Sequence, residues 1–241
     1  MVACAAYSWA GENSNLANRG AYNAGTAKFI TPQIRNSLGL ALTEMAFGSQ
    51  KRAKAHAETV ATPRNIRVYI SAPGLNQSRA TKMRSCAQFS LDSWNTNTNE
   101  NTFVEVFDSQ LADVNLILMN DVYEGRTKLA GHASWSRTSN GNGPSLSATI
   151  RISSRDFFGA LLSESQIKKS ISHELGHILG LDDDSQSNLM SKIGSHGGEA
   201  DDLEVAAVLE LHNRARSISE MPGINATRNN VPKVFEFAPA R

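Results

Sequence analysis

The stretch SISHELGHILGLDDDSQSNLM, residues 170–190, contains the pattern around which the rest of the sequence is interpreted. His173 and His177 are four residues apart within a strongly helical segment. One helical turn places both imidazoles on the same face, where both can point at one metal ion. Glu174 stands beside the first histidine, where its carboxylate can reach a metal-bound water without binding the metal. The pattern predicts a metal centre with His173 and His177 as ligands and Glu174 as general base.

A third ligand is expected just after this helix. Gly180 follows His177 by three residues and suits the left-handed turn that ends a helix, so the chain turns back towards the metal. Asp183 then stands where a third ligand would fall. A zinc ion with three protein ligands keeps a fourth position for water and lowers the pKa of that water to about 7. The expected cofactor is therefore Zn²⁺, with Glu174 taking the proton from the water.

The remaining sequence predicts an α+β fold. Strands are predicted at 65–71, 102–108, 112–119, 129–136 and 147–154, from alternating or continuous apolar residues. Helices are predicted at 32–59, 78–95, 163–180 and 199–216. Pro63 disfavours helix at the residue before it, which places a boundary near residue 60.

Composition excludes several classes of protein. The chain has 241 residues, of which 40% are hydrophobic, and its net charge is +1. With no dense basic run, nucleic acid is not an expected partner, and no run approaches the ~20 apolar residues of a membrane span. The two cysteines, Cys4 and Cys86, are too few for a disulfide scaffold and either form one bridge or stay free. The first eleven residues, MVACAAYSWAG, lack the basic region of a signal peptide.

The segment HELGHILGLDD, residues 173–183, resembles the metzincin signature H-E-x-x-H-x-x-G-x-x-H/D, with aspartate in third place as in snapalysin-like enzymes. Met190 resembles the methionine of the metzincin Met-turn, and HILGLD is also similar to the matrixins. The resemblance covers about residues 64–215. It implies a twisted five-stranded mixed sheet with an antiparallel edge strand, an active-site helix and a C-terminal helix.

What the resemblance implies about function is a zinc-dependent endopeptidase, secreted or on the cell surface. A protein or peptide substrate would lie extended along the edge strand near 129–135, and a monomer is expected. Residues 61–241 would form the metzincin-like catalytic domain. Residues 1–60 would be an extension with one helix, or a propeptide. In matrixins a propeptide cysteine occupies the water position on zinc, but Cys4 lacks the P-R-C-G surroundings of that cysteine.

Several alternatives stay open at this point. Motif spacing selects Asp183 over Asp182 and Asp184, whereas a thermolysin-like site would use Glu199 instead. His132, on the predicted edge strand, is expected to be structural or substrate-facing rather than a ligand. The same ligand set also serves amidases and deacetylases. A non-catalytic module with a structural metal is the third possibility, although such sites close with four protein ligands and no water.

Overall fold

Five α-helices form one layer of the structure. The computed structural model describes residues 25–100, 102–139, 143–183, 189–191, 198–221 and 235–237. Within these ranges the helices are α1 (Pro32–Ala46), α2 (Gln50–Val60), α3 (Gln77–Thr98), α4 (Glu164–Leu179) and α5 (Asp202–Ser219). No helix in this part of the chain combines the length and the apolar character needed to cross a membrane.

A mixed β-sheet forms the second layer. The strands are β1 (Ile66–Ser71), β2 (Phe103–Val106), β3 (Val114–Met119), β4 (Val122–Glu124), β5 (Thr127–Leu129), β6 (Gly131–Ser139), β7 (Pro144–Ser153) and β8 (Phe235–Phe237). The main sheet has the order β2-β1-β3-β7-β6-β8, and β4 with β5 forms a separate hairpin. β2, β1, β3 and β7 are parallel, whereas β6 is antiparallel to β7 and β8 is antiparallel to β6. The predicted α+β class and five-stranded mixed sheet are confirmed, and β8 adds a short sixth strand.

Alternating burial explains why the strands form. In β1 the apolar side chains Ile66, Val68 and Ile70 are buried, while the residues between them are exposed or half-buried. β3 repeats the pattern with every second residue buried. Because successive side chains of a strand point to opposite faces, one face of the sheet packs into the core that the helices share. The sequence pattern of period two therefore located these strands correctly.

The outer edge of the predicted edge strand is partly paired in the structure. The strand predicted at 129–136 is β6, and its outer edge pairs with β8 over Trp135–Arg137. The edge is therefore covered at these three residues by a segment whose sequence shows no strand pattern. Among the described residues, the pairing with β8 covers Trp135–Arg137, and Gly131–Ser134 precede it along β6.

The single helix predicted at 32–59 is two helices in the structure. Gly48 has φ +76°, in the left-handed region that favours glycine, and the chain turns there between α1 and α2. Both helices contribute to the hydrophobic core, through residues such as Ile34, Leu38, Ala53 and Val60. Whether residues 1–60 form a separate unit stays a prediction.

A fully buried arginine joins the helices to the sheet. Arg137, on β6, donates hydrogen bonds to the carbonyl oxygen of Val60 at the end of α2 and to that of Ile178 in α4, the latter at 2.6 Å. A buried histidine lies near this arginine. The ring Nε2 of His212 on α5 lies 3.0 Å from the Thr62 hydroxyl. Burial, together with the charges of Arg137 and a neighbouring arginine, lowers the pKa of His212 to about 3. His212 is thus held neutral inside the core.

Of the two cysteines, only Cys86 lies within the described residues. Cys86 is buried in α3, and within the described residues it has no disulfide partner. Its thiol lies 3.9 Å from the carbonyl oxygen of Glu164, and burial raises the pKa of the thiol. Cys4 lies outside the described residues, so a bridge between the two stays a prediction.

Candidate metal centre

Helix α4 carries the two histidines, and its ends are set by local sequence. Ser163 and Gln166 form a reciprocal capping box at its start. Gly180 ends it with φ +104°, and a Cβ there would lie 2.7 Å from Leu211 Cδ2 and 3.1 Å from Ile34 Cδ1. Glycine is thus required both by the backbone conformation and by the packing. The turn directs the chain that follows back along the end of the helix.

The backbone fixes how both histidine rings present their nitrogens. His173 Nδ1 donates to the carbonyl oxygen of Leu189 at 2.9 Å, and His177 Nδ1 donates to that of Leu181 at 2.9 Å. A carbonyl oxygen only accepts, so each Nδ1 carries a hydrogen and a neutral ring has its lone pair on Nε2. This is the arrangement typical of metal-binding histidines, whose second nitrogen bonds to a carbonyl or carboxylate.

The third predicted ligand meets these two lone pairs. Asp183 Oδ1 lies 3.2 Å from His173 Nε2 and 3.6 Å from His177 Nε2. The ligand atoms of the three residues all lie within 4.8 Å of one another. Around a tetrahedral zinc ion with bonds of about 2.0–2.1 Å, neighbouring ligand atoms lie ~3.3 Å apart. The two distances from Asp183 are close to this value, and two imidazoles with one carboxylate form a donor set that could hold a metal ion such as zinc.

The electrostatics of the group favour a positive charge at its centre. Burial alone would lower the pKa of His173, but the hydrogen bond with Asp183 and the charge of Glu174 outweigh it and raise that pKa above its ordinary value. Two acceptor nitrogens and a carboxylate oxygen this close repel one another unless a proton or a cation lies among them. A proton on His173 and a divalent cation satisfy the same requirement.

Glu174 lies against the sheet instead of joining the ligand group. A Cβ added to Gly131 of β6 would be 2.7 Å from Glu174 Oε1, so the carboxylate occupies the space that a side chain there would need. The backbone of Ala133 also hydrogen-bonds to it. Burial raises the pKa of Glu174 to about 7, with the charge of His173 opposing the rise and that of Asp183 adding to it. The predicted base is therefore fixed beside the strand on which a substrate is expected.

A buried glutamate that the sequence analysis missed supports Leu189 and Met190, which pack against the helix that carries the two histidines. Glu204 of α5 is fully buried, and its Oε1 accepts hydrogen bonds from the backbone N–H groups of Leu189 and Met190 at 3.1 and 2.8 Å. The Met190 sulfur lies 2.6 Å from where a Cβ on Gly176 would be. Leu189 in turn accepts from His173, so Glu204 acts on the histidine through one residue. Its only signal in the sequence is the capping pair Asp201–Glu204.

The other candidate ligands lie apart from this group among the described residues. Asp182 accepts a hydrogen bond from the N–H of Asp183 at 3.0 Å. Glu199 and His132 do not join the three donors, and His132 pairs with Arg151 across the sheet. Asp184 lies outside the described residues. The structure thus brings together the three residues that motif spacing selects.

Comparison with known proteins assigns the chain to no family. No protein-family model matches the sequence, and no curated protein matches it either. The case for a function therefore rests on the residues of this chain and on their geometry.

Proposed function

We propose that this protein is a zinc-dependent endopeptidase of the metzincin type. The observation that carries the proposal is the convergence of His173 Nε2, His177 Nε2 and Asp183 Oδ1, with Glu174 held next to them and outside the ligand set. A structural zinc site closes with four protein ligands. Among the described residues this group has three, the number of protein ligands in a catalytic zinc site.

The residues around the proposed zinc site have distinct tasks in the reaction. When bound, zinc supplies Lewis acidity that activates a water and polarises a peptide carbonyl. Glu174 takes the proton of that water and delivers it to the nitrogen of the departing amine. The carbonyl oxygens of Leu189 and Leu181 keep both histidines in the tautomer that offers Nε2. Gly131 leaves the space in which the Glu174 carboxylate lies.

The position of Glu174 favours an extended peptide as substrate. Its carboxylate contacts β6 at Gly131 and Ala133, which precede the three residues of that strand that pair with β8. A peptide adding to the edge of β6 there by main-chain hydrogen bonds would pass beside the base. This support is what ranks an endopeptidase above an amidase or deacetylase with the same ligands.

The experiment is a comparison of metal content and casein cleavage in the parent and in Glu174→Gln. We expect the parent to hold one Zn²⁺ and to lose cleavage with a chelator. Glu174→Gln should keep the zinc and lose at least ~100-fold in turnover, the low end for general base catalysis. Glu164→Gln is the matched control, because Glu164 is exposed at the start of α4 and pairs with Lys82.

Two outcomes would contradict the proposal. A Glu174→Gln protein that holds zinc and cleaves casein normally would remove Glu174 from the reaction. A parent that holds zinc and hydrolyses small acetamides but no peptide would replace the endopeptidase by an amidase.

A further inference from the structure

We propose that the segment Phe29–Thr31 positions the metal site, with Thr31 as its main contact. This inference rests on the proposed zinc site and adds a residue far from the motif in sequence. Thr31 directly precedes α1, within the N-terminal 60 residues that the sequence pattern separates from the remainder. The three residues of the segment are buried, with exposed fractions of 0–1%.

The segment is bonded to the turn between the ligands His177 and Asp183. Thr31 N donates to the carbonyl oxygen of Gly180 at 3.0 Å, and Asp182 N donates to that of Phe29 at 2.7 Å. These backbone bonds flank an antiparallel bridge between Ile30 and Leu181. Residues 29–31 therefore pair with the turn at 180–182 by backbone hydrogen bonds, as neighbouring strands do, directly before the third ligand.

The Thr31 hydroxyl is linked to the ligand His177 through the carbonyl oxygen of Leu181. It donates to the carbonyl oxygen of Gly180 at 2.9 Å and lies 3.3 Å from that of Leu181. The Leu181 oxygen is the acceptor of His177 Nδ1. Thr31 and His177 thus share an acceptor, which couples the position of the N-terminal segment to the ring that presents Nε2.

A second set of hydrogen bonds ties the segment to Asp183, through Phe29 instead of Thr31. Asp182, held by Phe29 through its N–H, accepts from the N–H of Asp183 through its side chain. Loss of the Thr31 hydroxyl loosens the turn while leaving all three ligands in place. The expected effect is weaker metal binding, because the ion must then order a more mobile ligand turn.

The test uses the full-length chain and Co²⁺ as the metal. Thr31→Val keeps the shape of the side chain and removes the hydroxyl. We expect its Co²⁺ affinity to fall about three- to tenfold, the range of one buried hydrogen bond, with a changed visible absorption spectrum. Thr31→Ser should restore the parental affinity within about twofold, since it restores the donor.

Thr59→Val is the matched control. Thr59 is equally buried, and its hydroxyl donates to the carbonyl oxygen of His56 within its own helix. It should lose thermal stability but keep Co²⁺ affinity. Equal affinity in Thr31→Val, Thr59→Val and the parent would overturn the positioning role alone. A parent that binds no Co²⁺ would overturn the zinc site and, with it, this role.

Discussion

Replacing Gly131 by alanine should separate catalysis from metal binding. The new Cβ would lie 2.7 Å from Oε1, 3.0 Å from Cγ and 3.2 Å from Cδ of Glu174. Ordinary contact distances start at about 3.4 Å, so the carboxylate must move by ~0.5 Å or more, and catalytic groups tolerate about 0.5 Å. Since a displacement of about 1 Å can cost ~100-fold, we expect kcat/KM to fall about 10- to 100-fold.

Metal affinity and folding should change much less than turnover. Glu174 is outside the ligand group, so Gly131→Ala should bind Zn²⁺ within about threefold of the parent. Gly131 has no positive φ, so the substitution adds no backbone strain. Overpacking of this kind costs about 1–3 kcal/mol, or a fall in Tm of about 2–12 °C in a chain of this length.

The assay measures peptide cleavage, zinc affinity and thermal unfolding on the same preparations. Gly39→Ala is the matched control, because Gly39 lies inside α1 with open space around its Cβ position. That substitution should raise stability by about 0.5–1 kcal/mol and leave cleavage unchanged. Parental cleavage by Gly131→Ala would refute the contact between Gly131 and Glu174 as a requirement. Loss of zinc together with activity would show that the strand acts on the ligands instead.

Three further predictions concern the third ligand, the buried Glu204 and the buried His212. Asp183→Ala should weaken Zn²⁺ binding by at least ~100-fold, measured by competition with a chelating dye, whereas Asp182→Ala should stay within about tenfold; the reverse order would assign the ligand to Asp182. Glu204→Ala leaves the N–H groups of two buried residues unpaired at about 1–3 kcal/mol each, so Tm should fall by about 4–24 °C; a fall under about 2 °C would contradict this. The pKa of His212 is lowered to about 3 in the folded protein, so between pH 6.5 and pH 3 the unfolded protein binds one more proton than the folded protein. The free energy of unfolding should therefore drop as the pH falls through this range, by up to ~1.4 kcal/mol per pH unit. Urea unfolding between pH 7 and pH 5 should show a shallower dependence in His212→Gln; identical slopes would refute a neutral buried His212.

The site residues that sequence analysis proposed depend on local rules. His173, Glu174 and His177 fall within one helical turn, so spacing alone sets their faces. Asp183 follows from the turn at Gly180, whose conformation only glycine readily adopts. The capping box at the start of α4 is equally local. Such features need no knowledge of the rest of the chain.

The residues that it missed act across long sequence separations. Gly131 meets Glu174 from another strand, and Thr31 reaches Gly180 from 149 residues away. Neither contact has a periodicity that a sequence window can detect. Gly48 splits a helical pattern that would tolerate an isolated glycine, so the break in the first helix also went unpredicted. Tertiary contacts, more than propensity, therefore complete this site.

The bonds between Thr31 and the ligand turn have a consequence for the order of folding. The two partners are separated by 149 residues, so their contact closes a loop that contains strands β1 to β7 and all of α4. Closing such a loop carries an entropic cost that is repaid only after the intervening strands and helices have packed. During synthesis the N-terminal partner emerges long before the turn exists. The proposed zinc site would therefore be completed only in a chain that is already folded, unlike small zinc-finger domains, whose folding depends on the ion.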